Sequence, residues 1–235
     1  MLRSRLVPIA LVVLGLPGLA VADNIAQISE VATQGNQYIL TNPGSSTGQE
    51  TFTASVQVEF SFNTAVYTGL PVNDLATLTM SASTSGHASS TYGIDVEGGF
   101  SGYFEIIDNV TGNDLLSATF GPGAGISGID LGSGMTFYDS DTEAAPNDVT
   151  FQSDYLNFQN YSGTEVMTFS LSNLSSVLRI AADQFLASTT GSATATFSAT
   201  PPPTVLPEPG TLVMAGAALL GLGFAFRKRR LRRAL

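Results

Sequence analysis

The chain contains no cysteine, no tryptophan and one histidine, His87. Without cysteine there is no disulfide framework, no thiolate zinc site and no cysteine nucleophile. Charge is scarce as well: Asp, Glu, Lys and Arg make up 12% of the residues, about half the usual share. Gly, Ser and Thr take their place, which favours strands and turns over long charged helices. Basic residues are nearly absent from the middle. Between Asp23 and Asp183 there are eighteen acidic residues and one base, Arg179, so this region carries a net charge of −17. Such a field repels nucleic acid and phosphorylated ligands and attracts cations.

The remaining bases sit at the ends. Arg3 and Arg5 precede an apolar run from Leu6 to Leu19, and Ala20-Val21-Ala22 follows as an A-x-A site. This is the pattern of a Sec-type signal peptide over residues 1–22, cut by signal peptidase between Ala22 and Asp23. At the other end a Pro-rich linker, 201–206, leads into Pro207-Glu208-Pro209. An uncharged, Gly-containing stretch, 211–226, comes next, and a basic cluster, 227–233, closes the chain. The stretch is about long enough for one short transmembrane helix. Arg227, Lys228, Arg229 and Arg230 behind it form a stop-transfer signal.

The triplet, the short apolar helix and the Arg-rich end together resemble the PEP-CTERM sorting signal, here spanning 207–233. The resemblance implies processing by an exosortase, a membrane cysteine protease. It also implies export in a Gram-negative bacterium that makes exopolysaccharide, with transient anchoring in the inner membrane before the protein reaches the cell surface or extracellular matrix. A sortase signal, L-P-x-T-G, is the competing pattern. Leu206-Pro207-Glu208-Pro209-Gly210 departs from it, because Pro209 stands where Thr is required.

Residues 23–200 read as a single acidic all-β domain. In 51–62, Phe52, Ala54, Val56, Val58, Phe60 and Phe62 alternate with polar residues, the period of a strand with one buried face. Shorter alternations occur at 78–82, 94–97, 149–151, 167–171 and 193–198. Phe100–Ile107 and Leu115–Phe120, joined across Asn109–Gly112, read as a hairpin. Gly98-Gly99 and Gly121-Pro122-Gly123 read as breaks between strands. Leu174–Leu186 has mixed spacing and is left open between a short helix and an irregular loop. The strand spacing predicts a β-sandwich of jelly-roll type.

Motifs for chemistry are few. His87 has serines around it, but no G-x-S-x-G elbow accompanies it. Gly123–Gly128 matches G-x-G-x-x-G without the helix start that a dinucleotide requires, and reads as a flexible turn. Asp95, Glu97 and Glu105 are formal candidates for a glycosidase pair, although carboxylates in alternating runs usually mark the wet face. Asp139, Asp141 and Glu143 alternate, so an extended chain brings them to one side. Oxygen ligands of that kind suit Ca²⁺, but Ala144 and Thr150 occupy EF-hand positions that need Gly and Glu. Seven tyrosines offer sugar-stacking or core-packing surface. The expectation is a non-enzymatic extracellular protein of matrix, biofilm or exopolysaccharide, without a cofactor unless Ca²⁺ binds. A carbohydrate- or calcium-binding module is the alternative, and a secreted hydrolase stands behind it.

Overall fold

The structure, a computed structural model, describes residues 22–31, 37–140, 148–161 and 164–200. Residues 1–21 of the expected signal peptide and the whole C-terminal signal lie outside the described residues. No described helix is long and apolar enough to cross a membrane.

The alternation forms strands as expected. β1 (Asp23–Glu30) and β2 (Tyr38–Thr41) are followed by β3 (Glu50–Phe62), which contains the strict run, and β4 (Val72–Thr84). β5 (Ser89–Thr91), β6 (Ile94–Asp108), β7 (Asp114–Ile129) and β8 (Met135–Ser140) come next. β9 (Val149–Gln152), a 3₁₀ turn at Phe158–Asn160, β10 (Val166–Ser172) and β11 (Thr189–Ala199) complete the described order. The β6–β7 hairpin turns at the expected place, where the Asp108 carboxylate accepts the Val110 N–H and the Thr111 hydroxyl. Residues 173–188 form an irregular strap with one isolated bridge, Ile180 to Leu186.

The strands do not form a sandwich. The antiparallel order β6-β4-β3-β1-β11-β10-β8-β7 is closed by β6 pairing with β7, giving an eight-stranded barrel. Period-2 alternation marks one buried face but does not say whether that face meets a second sheet or curls round on itself. Bulges in the long strands supply the coiling that closure needs. Gly98-Gly99, expected to break the chain, is such a bulge within β6, with Gly99 at φ +84°. It shifts the buried parity from Asp95 and Glu97 to Phe100, Phe104 and Ile106. The glycines of 121–128 lie inside β7 rather than in a turn. They allow close approach: a Cβ on Gly125 would lie 3.2 Å from the Glu97 carbonyl.

A barrel of this strand number has an interior that side chains can fill. Phe52, Phe104, Phe137, Phe169 and Phe197, each from a different strand, are fully buried and meet across the centre. Phe52 and Phe137 stack at 5.0 Å, and Phe104 and Phe197 lie 5.1 Å apart. One end of the barrel carries Asp23, paired with Ala199, so the described chain enters and leaves there. The strap 173–188 covers the opposite end and buries Leu178, Phe185 and Leu186.

Candidate functional site

Inward-facing positions in a strand normally hold apolar side chains. Two such positions at the strapped end hold glutamates. Glu50 opens β3, Glu97 precedes the β6 bulge, and both are fully buried. The backbone N–H of Leu186, in the strap, donates to Glu97 Oε2 at 2.9 Å and to Glu50 Oε2 at 3.3 Å. Neither Oε1 receives a donor from another group. Two buried carboxylates so close cannot both be charged without a counter-ion. A single proton shared in the hydrogen bond between Glu50 and Glu97 resolves the conflict. Burial, and then the hydrogen bond to Glu97, pushes Glu50 up to about 10. Burial also raises Glu97, against the opposing pull of the Glu50 hydrogen bond, the Leu186 N–H and His87. Asp183, in the strap, raises both. Chemically the pair is an acid next to its conjugate base, but it is sealed beneath the strap and serves to hold Leu186 down.

The sequence reading paired the acids differently. Asp95 and Glu97 are buried rather than on the wet face, whereas Glu105 lies on the outer face and is exposed. The true partner, Glu50, went unrecognised because it belongs to another strand and the bulge conceals the parity. His87 is in a loop, as expected, and is exposed. Its Nε2 lies 3.2 Å from the Ser46 carbonyl, and its ring meets the Phe185 ring edge-on at 5.2 Å.

Of the proposed calcium ligands, Asp139 is buried in β8, and its Oδ1 accepts the Ser140 N–H at 2.7 Å. Asp141 and Glu143 lie outside the described residues. Gly123 leaves room above β7 for Asp139 and Asp148: a Cβ there would overlap the Asp148 carboxylate and come within 3.0 Å of Asp139 Oδ1. Among the described residues there is no cluster of three or more His, Asp or Glu arranged to hold a metal.

An open groove of about 860 Å³ runs beside β9 at the end where the chain enters and leaves. Gln152, Asp154, Asn157, Tyr155, Phe158 and Tyr161 line it. Its tyrosines are held from behind: the Tyr161 hydroxyl meets that of Tyr67 at 2.6 Å, and Asn113 donates to the Tyr155 hydroxyl at 3.1 Å. Tyr38, by contrast, is pure core.

Asp23, the expected first mature residue, is exposed and opens β1, next to Ala22. Ala20, Pro207, Glu208, Pro209, Arg227, Lys228, Arg229 and Arg230 lie outside the described residues. Comparison with known families decides the C-terminal reading: residues 205–230 match the PEP-CTERM protein-sorting motif. The chain carries a PEP-CTERM sorting signal. The signal implies export, exosortase-dependent processing and a C-terminal segment anchored in the membrane. No curated protein and no solved structure matches the chain, so the barrel is read on its own chemistry.

Proposed function

We propose that this PEP-CTERM protein is delivered to the cell surface or the surrounding matrix, where the barrel serves as a non-enzymatic structural protein in contact with exopolysaccharide. The observation that carries this reading is the sorting signal at 205–230, following an export pattern at residues 1–22. The acidic, Ser/Thr-rich exterior supports it, since such a surface stays soluble and hydrated outside the cell. The burial of Glu50 and Glu97 beneath the strap and the position of His87 in an exposed loop support it.

The test is to express the full chain with and without an exosortase and to determine the mass of its C-terminal peptide. With the enzyme, the chain is expected to be cut within the signal. A variant carrying Pro207→Ala, Glu208→Ala and Pro209→Ala is expected to stay intact and membrane-bound. An uncut C-terminus on protein recovered outside the cell defeats the sorting reading.

The groove beside β9 favours a second reading, a carbohydrate-binding module. Aromatic faces flanked by amide and carboxylate side chains suit a sugar. Titration of the processed protein with neutral and acidic glycans, followed by tyrosine fluorescence, tests it, and an unchanged signal with all of them removes it. Calcium near Asp139 has its own test: equal melting temperatures in Ca²⁺ and in EDTA count against that site.

A further inference from the structure

Five large apolar side chains stand exposed together at the strapped end: Tyr92, Ile94, Ile129, Leu131 and Val177. Hydrogen bonds place them side by side. Ile94 pairs with Ile129 across β6 and β7, and Asp130 N–H donates to the Gly93 carbonyl at 3.0 Å. Leu131 N–H donates to the carbonyl of Leu178, next to Val177, at 2.8 Å. Tyr92 is wholly exposed, and Leu131 is 64% exposed.

Two of these residues sit where the backbone disfavours them. Tyr92 and Gly93, at φ +54° and +77°, form the two-residue turn between β5 and β6. A turn with both central residues at positive φ favours Asn-Gly. Leu131, at φ +59°, fills another left-handed position, which Asn or Gly adopts with less strain. Neither side chain repays that strain by burial. A local rule broken with no gain inside the fold points to a contact outside it.

Charge narrows the choice of partner. Between Asp23 and Asp183 acids outnumber bases eighteen to one, and the one base, Arg179, lies exposed in the strap beside Leu178. Asp130 is exposed between Ile129 and Leu131. The tip is therefore apolar, flanked by one acid and one base, and self-complementary under a two-fold axis. A polyanion is repelled by the barrel, and the aliphatic side chains offer a sugar no hydrogen bonds. We propose that the tip is a self-association surface at which two copies of the barrel meet end to end, with Arg179 of each facing Asp130 of the other. Five side chains fall well short of the roughly 20–30 residues per side of a stable complex. The contact is therefore weak alone and becomes effective where copies are crowded.

Sedimentation velocity of the full chain, held one copy per lipid nanodisc, tests this over a concentration series at low and high salt. The sedimentation coefficient is expected to rise with concentration, and more steeply at high salt, where the repulsion between acidic barrels is screened. The double variant Tyr92→Asn, Leu131→Asn is expected to stay monomeric while its barrel melts at the same or a higher temperature. Asp130→Arg is expected to weaken association, and adding Arg179→Asp to restore it. Four results overturn the proposal: no association of the unmodified chain, a double variant that associates like it, a double variant that melts lower, or binding of added empty nanodiscs as strong as the association between copies, which would make lipid the partner.

Discussion

Glu50 is the residue whose environment departs furthest from its ordinary one. Its carboxyl is buried against a second acid and stays protonated up to about 10. In the unfolded chain it releases its proton near the ordinary glutamate range. Between that range and about 10 the folded barrel therefore holds a proton that the unfolded chain has lost. Stability falls as pH rises through this window. We expect the melting temperature to decline from about pH 6 to about pH 9, where surface carboxylates are ionised in both states. In Glu50→Gln the amide donates to Glu97 without a titrating proton, so the decline is expected to flatten; an equally steep decline would free the pair of this role. Phe137 makes the complementary case for the core. It meets Phe52, Phe100, Phe120 and Phe169 within 6.3 Å. Phe137→Ala is expected to cost about 3–5 kcal/mol, read from the shift in the urea midpoint. The alternation in the sequence marks Phe52 and Phe169, two of the rings that Phe137 meets, as inward-facing. It does not show the Glu50–Glu97 pair, because polar residues in an alternating run look like the wet face and their contact depends on how distant strands align.

Among the elements, β6 shows where glycine is required and where it is not. Gly102 packs against β4 so closely that a Cβ there would overlap the Ser81 carbonyl and lie 2.7 Å from Ala82 Cα. Gly98, at the bulge, has open space around it. Gly102→Ala is therefore expected to destabilise by about 1–3 kcal/mol, and Gly98→Ala to leave the melting temperature nearly unchanged. Sequence alone ranks these glycines the other way, since a Gly-Gly pair suggests a turn and an isolated Gly between Ser101 and Tyr103 suggests nothing. The long alternation of β3 and the Asp108–Gly112 turn were legible because both are written in consecutive residues. The bulge was not, because a one-residue shift shows only when the partner strand is known.

For the whole molecule, two levels separate. The C-terminal address is a linear signal, readable without any fold, and it matched. The barrel is a non-local object. Sandwich and barrel share strand lengths, alternation and turns, and they differ in whether β6 finds β7 on its free side and β1 finds β11. The β1–β11 pair joins Asp23 to Ala199, nearly the full length of the domain. β1 meets β3 early in the chain, but its other edge has no partner until β11 is available, which makes ring closure a non-local step. Closure therefore depends on the last described strand: without β11, β1 and β10 would each be left with a bare edge, and a bare edge is a template for pairing with another copy.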